Sequence, residues 1–75
     1  MKLHGSITAN LENAIASAHR LRGHSVYSDT ISYWQELIRE ARRIRMDRNE
    51  TERARLDALI VRLETELISR ERERR

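Results

Sequence analysis

The chain contains no proline, and its only glycines are Gly5 and Gly23. These two residue types interrupt helices most strongly, because proline lacks the backbone N–H and glycine loses the most conformational entropy on folding. Apolar residues recur every three to four positions over most of the chain, which is the repeat of an amphipathic helix. The sequence therefore predicts an all-α protein with breaks near Gly23 and wherever the apolar repeat changes phase.

The first helix is predicted at about residues 6–22. Ser6 or Thr8 can cap its start, and Gly23 suits the position just after its end. Its apolar positions fall on one face and are Ile7, Leu11, Ala14, Ile15, Ala18 and Leu21. The alanines make this face thin, so a neighbouring helix can approach closely.

The second helix is predicted at about residues 29–45, with Ser28 or Asp29 as its cap. Its apolar stripe consists of Ile31, Trp34, Leu37, Ile38, Ala41 and Ile44. Trp34 lies on this stripe, which predicts a core position. Tyr27 precedes the helix, where its ring either covers the end of the bundle or is presented to a partner.

The third helix is predicted at about residues 50–72, in a new phase. Asn49 and Glu52 have the spacing of a capping box at its start. A turn near residues 46–50 would fold the second and third helices into an antiparallel hairpin. The alternative is one unbroken helix from 29 to 75, since this segment contains neither glycine nor proline.

Two apolar stripes run along the third helix, roughly 150° apart around its axis. The main stripe consists of Leu56, Leu59, Ile60, Leu63 and Leu67, and the second stripe of Ala54, Ala58, Val61, Thr65 and Ile68. The second stripe, and the main stripe when Leu59 and Ile60 are counted as one position, have the alternating spacing of four and three residues that coiled-coil cores require. Charged residues fill the flanks, with Arg53, Asp57, Glu64 and Glu71 on one side and Arg55, Arg62 and Glu66 on the other. Arg62 and Arg70 are each four residues from Glu66, which predicts solvated ion pairs along the helix.

The second stripe is the most informative feature, because a helix in a small monomeric hairpin needs only one. It either stays half-exposed or is covered by another helix. That helix is the first helix of the same chain, completing a three-helix bundle, or the third helix of a second copy. Val61 and Ile68 favour a partner, so we expect the second stripe to be an oligomer interface in a dimeric helical bundle.

The length of 75 residues predicts a single domain over residues 1–75, with frayed ends at 1–5 and 73–75. So small a core is marginal alone, and without cysteine pairing with a second chain is a common solution. With no secretory signal and no apolar stretch of membrane-spanning length, a cytoplasmic location is expected. Fourteen of the 15 basic residues are arginine, a usage typical of a GC-rich bacterial genome.

No catalytic, cofactor or metal site is predicted. The only histidines are His4, His19 and His24, and none has a helical partner at the spacing of metal ligands. There is no cysteine nucleophile, and the paired carboxylates fall among arginines on polar helix faces. Such carboxylates are solvated, whereas general acid–base chemistry requires a shifted pKa.

The net charge of +3 arises entirely in residues 39–75, which contain twelve arginines and nine acidic residues. Mixed charges of this density usually mark solvated helix faces. Arg39, Arg42 and Arg43 nevertheless cluster on the second helix, where they could contact phosphates. The leading expectation is a small non-enzymatic protein–protein interaction module, such as an adaptor, accessory subunit or regulator. The alternative is a small arginine-rich nucleic-acid-binding regulator.

Overall fold

The computed structural model describes residues 6–73, and side chains within 6–70. It contains three α-helices, α1 (Ile7–Arg20), α2 (Ser28–Arg45) and α3 (Glu50–Glu73), and no strand within the described range. The all-α prediction is therefore confirmed.

The start of α1 agrees with the sequence, but its end does not. Ser6 caps the helix, its hydroxyl oxygen accepting a hydrogen bond from the backbone N–H of Ala9 at 3.0 Å. The helix ends at Arg20, two residues earlier than predicted, because the N–H of Arg22 bonds to the carbonyl of His19, only three residues back. Gly23 then takes a positive φ of 79°, which reverses the chain toward α2.

The start of α2 differs from the sequence prediction of a Ser28 or Asp29 cap, which was wrong. Tyr27 is the N-cap residue, and no side chain caps this end. The carbonyl of Tyr27 accepts from the N–H groups of Thr30 and Ile31 at 3.0 and 3.2 Å. Ser28 thus already has helical backbone geometry, so its hydroxyl is not placed to cap.

Residues 46–49 form a turn between α2 and α3, where the N–H groups of Asp47 and Arg48 bond to carbonyls only three residues back. The alternative of one unbroken helix over 29–75 was therefore wrong. Asn49 caps α3 as predicted, its side-chain oxygen accepting from the N–H of Glu52 at 2.9 Å. A local polar cap and a phase change in the apolar pattern are thus enough to separate two helices without glycine or proline.

All three helices contribute to one core, in which α3 contacts both α1 and α2. The buried apolar side chains are Leu11, Ala14, Ile15, Ala18, Trp34, Leu37, Ile38, Ala41, Leu56, Leu59, Ile60 and Leu63. Every one lies on a predicted stripe, and Trp34 is only 2% exposed. Leu67 completes the main stripe as a partly buried residue against this core.

The predicted fraying concerns residues 1–5 and 73–75. Glu73 is the last residue of α3, and the other positions lie outside the described residues. Within the described part of the chain, no helix combines the length and the hydropathy needed to cross a membrane.

Candidate protein-interaction surface

The second stripe of α3 is exposed along its whole length. Val61 and Ile68, its two largest side chains, are 58% and 53% exposed. Ala54, Ala58 and Thr65 are exposed as well. Neither α1 nor α2 covers this surface, because the two helices pack on the main stripe, each toward a different flank of α3. Covering by α1, one of the two arrangements considered from the sequence, was therefore wrong.

The position of α1 is set by polar contacts on one flank of α3. Arg55 donates a hydrogen bond to Glu12 at 2.9 Å. Further along, Arg22 bonds to Glu66. These contacts place α1 beside the stripe and not over it.

The position of α2 is set on the other flank. Arg45 donates to Asp57 at 2.9 Å, and Arg42 is hydrogen bonded to Glu64. The two short helices therefore support α3 from either side and leave the second stripe facing outward.

Thr65 is the one polar member of the second stripe, and its hydroxyl is already used. Its Oγ1 donates a hydrogen bond to the carbonyl of Val61, one turn earlier, at 2.8 Å. Because this bond satisfies the hydroxyl donor, Thr65 can lie in an apolar contact at little cost. The outward surface from Ala58 to Ile68 therefore presents no unsatisfied hydroxyl donor to an apolar partner.

Shallow grooves border the second stripe on both sides. One lies between α1 and α3 and includes Ile15, Val61 and Thr65 in its lining. The other lies between α2 and α3 and includes Ile38 and Ile68. Charged side chains of the neighbouring helices line both grooves as well, so a partner helix on the stripe would meet charged groups at its edges.

Glu66 is where the sequence analysis failed most clearly. It was predicted as a solvated flank residue paired along α3, but it is only 7% exposed and its partner, Arg22, lies in the turn just after α1. Arg22 donates two hydrogen bonds to its carboxylate, at 2.9 and 2.6 Å, and His19 lies 3.8 Å away. The hydrogen bonds from Arg22 hold the pKa of Glu66 below its ordinary value, against the opposing effect of burial.

Arg70 is a second residue whose role sequence reasoning missed. Its guanidinium donates to the carbonyls of Leu21 and His24 at 2.7 and 3.1 Å. It also lies over the ring of Trp34, 5.6 Å from the centroid, within range of a cation–π contact. The sequence did indicate that Glu66 and Arg70 face the core, since they follow Leu63 by three and seven residues and so lie on the face of the main stripe.

The three arginines considered for nucleic acid each have a carboxylate neighbour. Arg39 donates to Glu36 at 2.7 Å, and Arg43 is paired with Glu40. Glu40 raises the pKa of Arg43 further. Arg42 is held by Glu64 of α3. Phosphates would therefore compete with existing ion pairs at all three positions.

Tyr27 is 85% exposed, so its ring does not cover the end of the bundle. Among the described residues, no group of three or more histidine, cysteine, aspartate or glutamate side chains is arranged to hold a metal ion. Of the exposed large hydrophobic side chains in the described part of the chain, only Val61 and Ile68 lie on one face of one helix.

Comparison with protein-family models, with curated proteins and with solved structures gives no match to this chain.

Proposed function

We propose that this protein is a small, non-enzymatic helical interaction module that forms a homodimer through the second stripe of α3. The observation that carries the proposal is the exposure of Val61 and Ile68, 58% and 53%, one heptad apart on one face. Aliphatic side chains exposed in a row at coiled-coil spacing favour a facing helix.

The proposal includes an antiparallel hairpin of α2 and α3. Two interhelical contacts support it, since Arg42 pairs with Glu64, whereas Arg45, later in α2, pairs with Asp57, earlier in α3. In such a hairpin, with α1 packed on the other flank, α3 is held on both sides. A helix held in this way presents its free face with little loss of conformational freedom on binding, which favours affinity.

The size of the protein supports the same conclusion. A 75-residue chain without cysteine has a small core, and several of its buried residues are alanine. Burying a second apolar face against another chain would add to the stability of the folded state. Dimerisation would therefore stabilise the fold as well as form the contact.

The experiment is a measurement of mass by light scattering on wild type and on the double variant Val61→Glu, Ile68→Glu. The wild type is expected to be dimeric and the variant monomeric, because the introduced carboxylates would be buried and unpaired at the contact. The matched control is Tyr27→Glu with Met46→Glu, which adds the same charge at residues 85% and 75% exposed elsewhere. This control should stay dimeric. A monomeric wild type would overturn the homodimer.

Nucleic-acid binding through Arg39, Arg42 and Arg43 is the second candidate function. It is favoured by the exposure of two of these side chains, 74% for Arg39 and 73% for Arg43. Binding of this kind should weaken steeply with salt, and replacing the three arginines by glutamine should abolish it. We expect neither duplex nor single strands to bind at about 50 mM salt. Binding that the triple variant loses would support this candidate instead.

A further inference from the structure

The residues that directly border the second stripe carry opposite charges on its two sides, whereas Arg53 and Glu66 lie nearer the main stripe. On the side facing α2 lie Glu50, Asp57 and Glu64, called here the acidic flank, and on the side facing α1 lie Arg55 and Arg62, the basic flank. The ion pairs of Asp57 with Arg45 and of Arg55 with Glu12 identify the two sides. In heptad terms, the two flanks are the g and e positions that border a coiled-coil core.

From this asymmetry we infer that the second copy packs against α3 in a parallel, in-register arrangement. The inference rests on the proposed homodimer and specifies its geometry. A two-fold axis parallel to the helices sets the acidic flank of one copy against the basic flank of the other. A two-fold axis perpendicular to the helices, which relates antiparallel copies, sets each flank against its own kind.

The parallel arrangement matches specific charges. A g residue meets the e residue five positions later on the other chain, so Glu50 faces Arg55 of the second copy and Asp57 faces Arg62 of the second copy. By symmetry each pair occurs twice. These contacts join residues of opposite charge, and such flank pairs are what sets orientation in coiled coils.

The antiparallel arrangement does the opposite. With Ala54 opposite Thr65 of the second copy, Arg55 would face Arg62 and Asp57 would face Glu64. Both contacts join like charges, which disfavours this orientation.

The apolar residues favour the same orientation independently of the charges. In a parallel, in-register pair, Val61 meets Val61 and Ile68 meets Ile68 of the second copy. In the antiparallel register just described, Ile68 would meet Thr51 and Val61 would meet Ala58. Only the parallel pair brings the largest exposed aliphatic side chains of the stripe together, which buries more apolar surface.

The existing ion pairs leave room for these contacts. The side chain of Asp57 remains 50% exposed beside Arg45, and that of Arg55 remains 65% exposed beside Glu12. A carboxylate has several acceptor sites and a guanidinium five donors. Each residue can therefore keep its partner within the chain and add one across the dimer.

Disulfide cross-linking tests the orientation, because the chain has no cysteine of its own. The exposed residue Ala54 is replaced by cysteine, and the protein is oxidised and run on a non-reducing gel. In the parallel pair the two Ala54 positions face each other, within the Cα separation of about 7 Å that a disulfide tolerates. Ala54→Cys should therefore give a covalent dimer. The matched control is Ser25→Cys, an exposed loop position that should stay monomeric on the gel.

A mixture of Ala54→Cys and Thr65→Cys, with one of them carrying a mass tag, tests the antiparallel alternative. The parallel pair predicts only untagged and doubly tagged covalent dimers, because each position meets itself. Predominantly singly tagged dimers would overturn the parallel inference and leave the homodimer intact. A monomeric wild type in light scattering would instead overturn both.

The charge pairs are tested by the dimer dissociation constant of Arg62→Glu against that of Arg62→Gln. Glutamate at this position would face Asp57 of the second copy twice in each dimer, so Arg62→Glu should dissociate about three- to tenfold more readily than Arg62→Gln, the range for exposed ion pairs. Raising the salt concentration should shrink the difference. Equal dissociation constants at low salt, or tighter association of Arg62→Glu, would overturn the assignment of Asp57 opposite Arg62.

Discussion

Arg22, two residues after the end of α1, forms a two-point hydrogen-bonded ion pair with Glu66 in the second half of α3, at 2.9 and 2.6 Å. The pair is unequal in its exposure to solvent. The side chain of Glu66 is 9% exposed, whereas that of Arg22 is 50% exposed. This difference in exposure predicts that replacing Arg22 and replacing Glu66 lower the free energy of unfolding by different amounts.

Replacing Arg22 by alanine should lower the free energy of unfolding by about 2 kcal/mol, since it leaves a buried carboxylate without its main donor. Glu66→Gln should cost less, about 1 kcal/mol, because the amide still accepts a bond and water can reach Arg22. Urea unfolding at one fixed chain concentration measures both values. Arg20→Ala, at an exposed site in the last turn of α1, is the control and should stay within about 0.5 kcal/mol of wild type. Equal losses for Arg22→Ala and Glu66→Gln would contradict the unequal pair.

Stability should decline in acid through the same carboxylate. Since the folded state holds the pKa of Glu66 below the ordinary value of 4.5, folding favours the ionised form. This contribution is complete above about pH 4.5 and is lost as the pH falls through the lower folded-state pKa. The difference in unfolding free energy between wild type and Glu66→Gln, measured from pH 7 downward, should be constant at first and then shrink. A difference that grows as the pH falls would contradict a pKa of Glu66 that folding lowers.

Arg70 should stabilise the end of α1. Its guanidinium bonds to the carbonyls of Leu21 and His24 and lies over Trp34, so Arg70→Ala should cost about 2 kcal/mol. Arg70→Lys should recover only part of this loss, because an ammonium group lacks the planar fork. Amide hydrogen exchange in the last turn of α1 should accelerate in Arg70→Ala. The control is Arg39→Ala, which should leave that exchange unchanged, because Arg39 pairs with an exposed glutamate on its own helix.

Gly23 should be hard to replace for reasons of backbone conformation alone. Its φ is 79°, and a Cβ built there would meet no atom within 4 Å. Gly23→Ala should therefore cost about 1 kcal/mol, the penalty of a left-handed backbone for a side chain with Cβ. Gly23→Asn should cost less, since asparagine tolerates this region better. Thermal unfolding of both variants, with Ser25→Ala in the same loop as control, measures the difference, and a Gly23→Ala variant as stable as wild type would contradict it.

The helices and the core were predictable from local patterns. Within the described part of the chain, the stripes of α1, α2 and α3 identified every buried apolar residue, and Ser6 and Asn49 marked two helix starts correctly. These features depend on neighbours within about four positions, whose spacing on a helix is constant. The α2 cap was predicted wrongly because Tyr27 takes that position without a side-chain bond, and the sequence offered two conventional capping residues next to it.

The second stripe of α3 was visible in the sequence as a pattern, but its exposure was not. Periodicity shows that two faces of a helix are apolar and leaves open which of them a neighbouring helix covers. The tertiary packing decided this, because both α1 and α2 lie against the main stripe and leave Val61 and Ile68 outside.

By itself, the sequence predicted the all-α class, the stripes that supply the core and the two apolar faces of α3, but it left open whether residues 29–75 form one helix or two. Only the tertiary structure decided that Glu66 is buried against Arg22 and that Arg70 binds the end of α1. Both residues lie more than forty positions from their partners. Contacts of that separation depend on how whole helices pack, since the free energy of a polar group is set by what surrounds it in space.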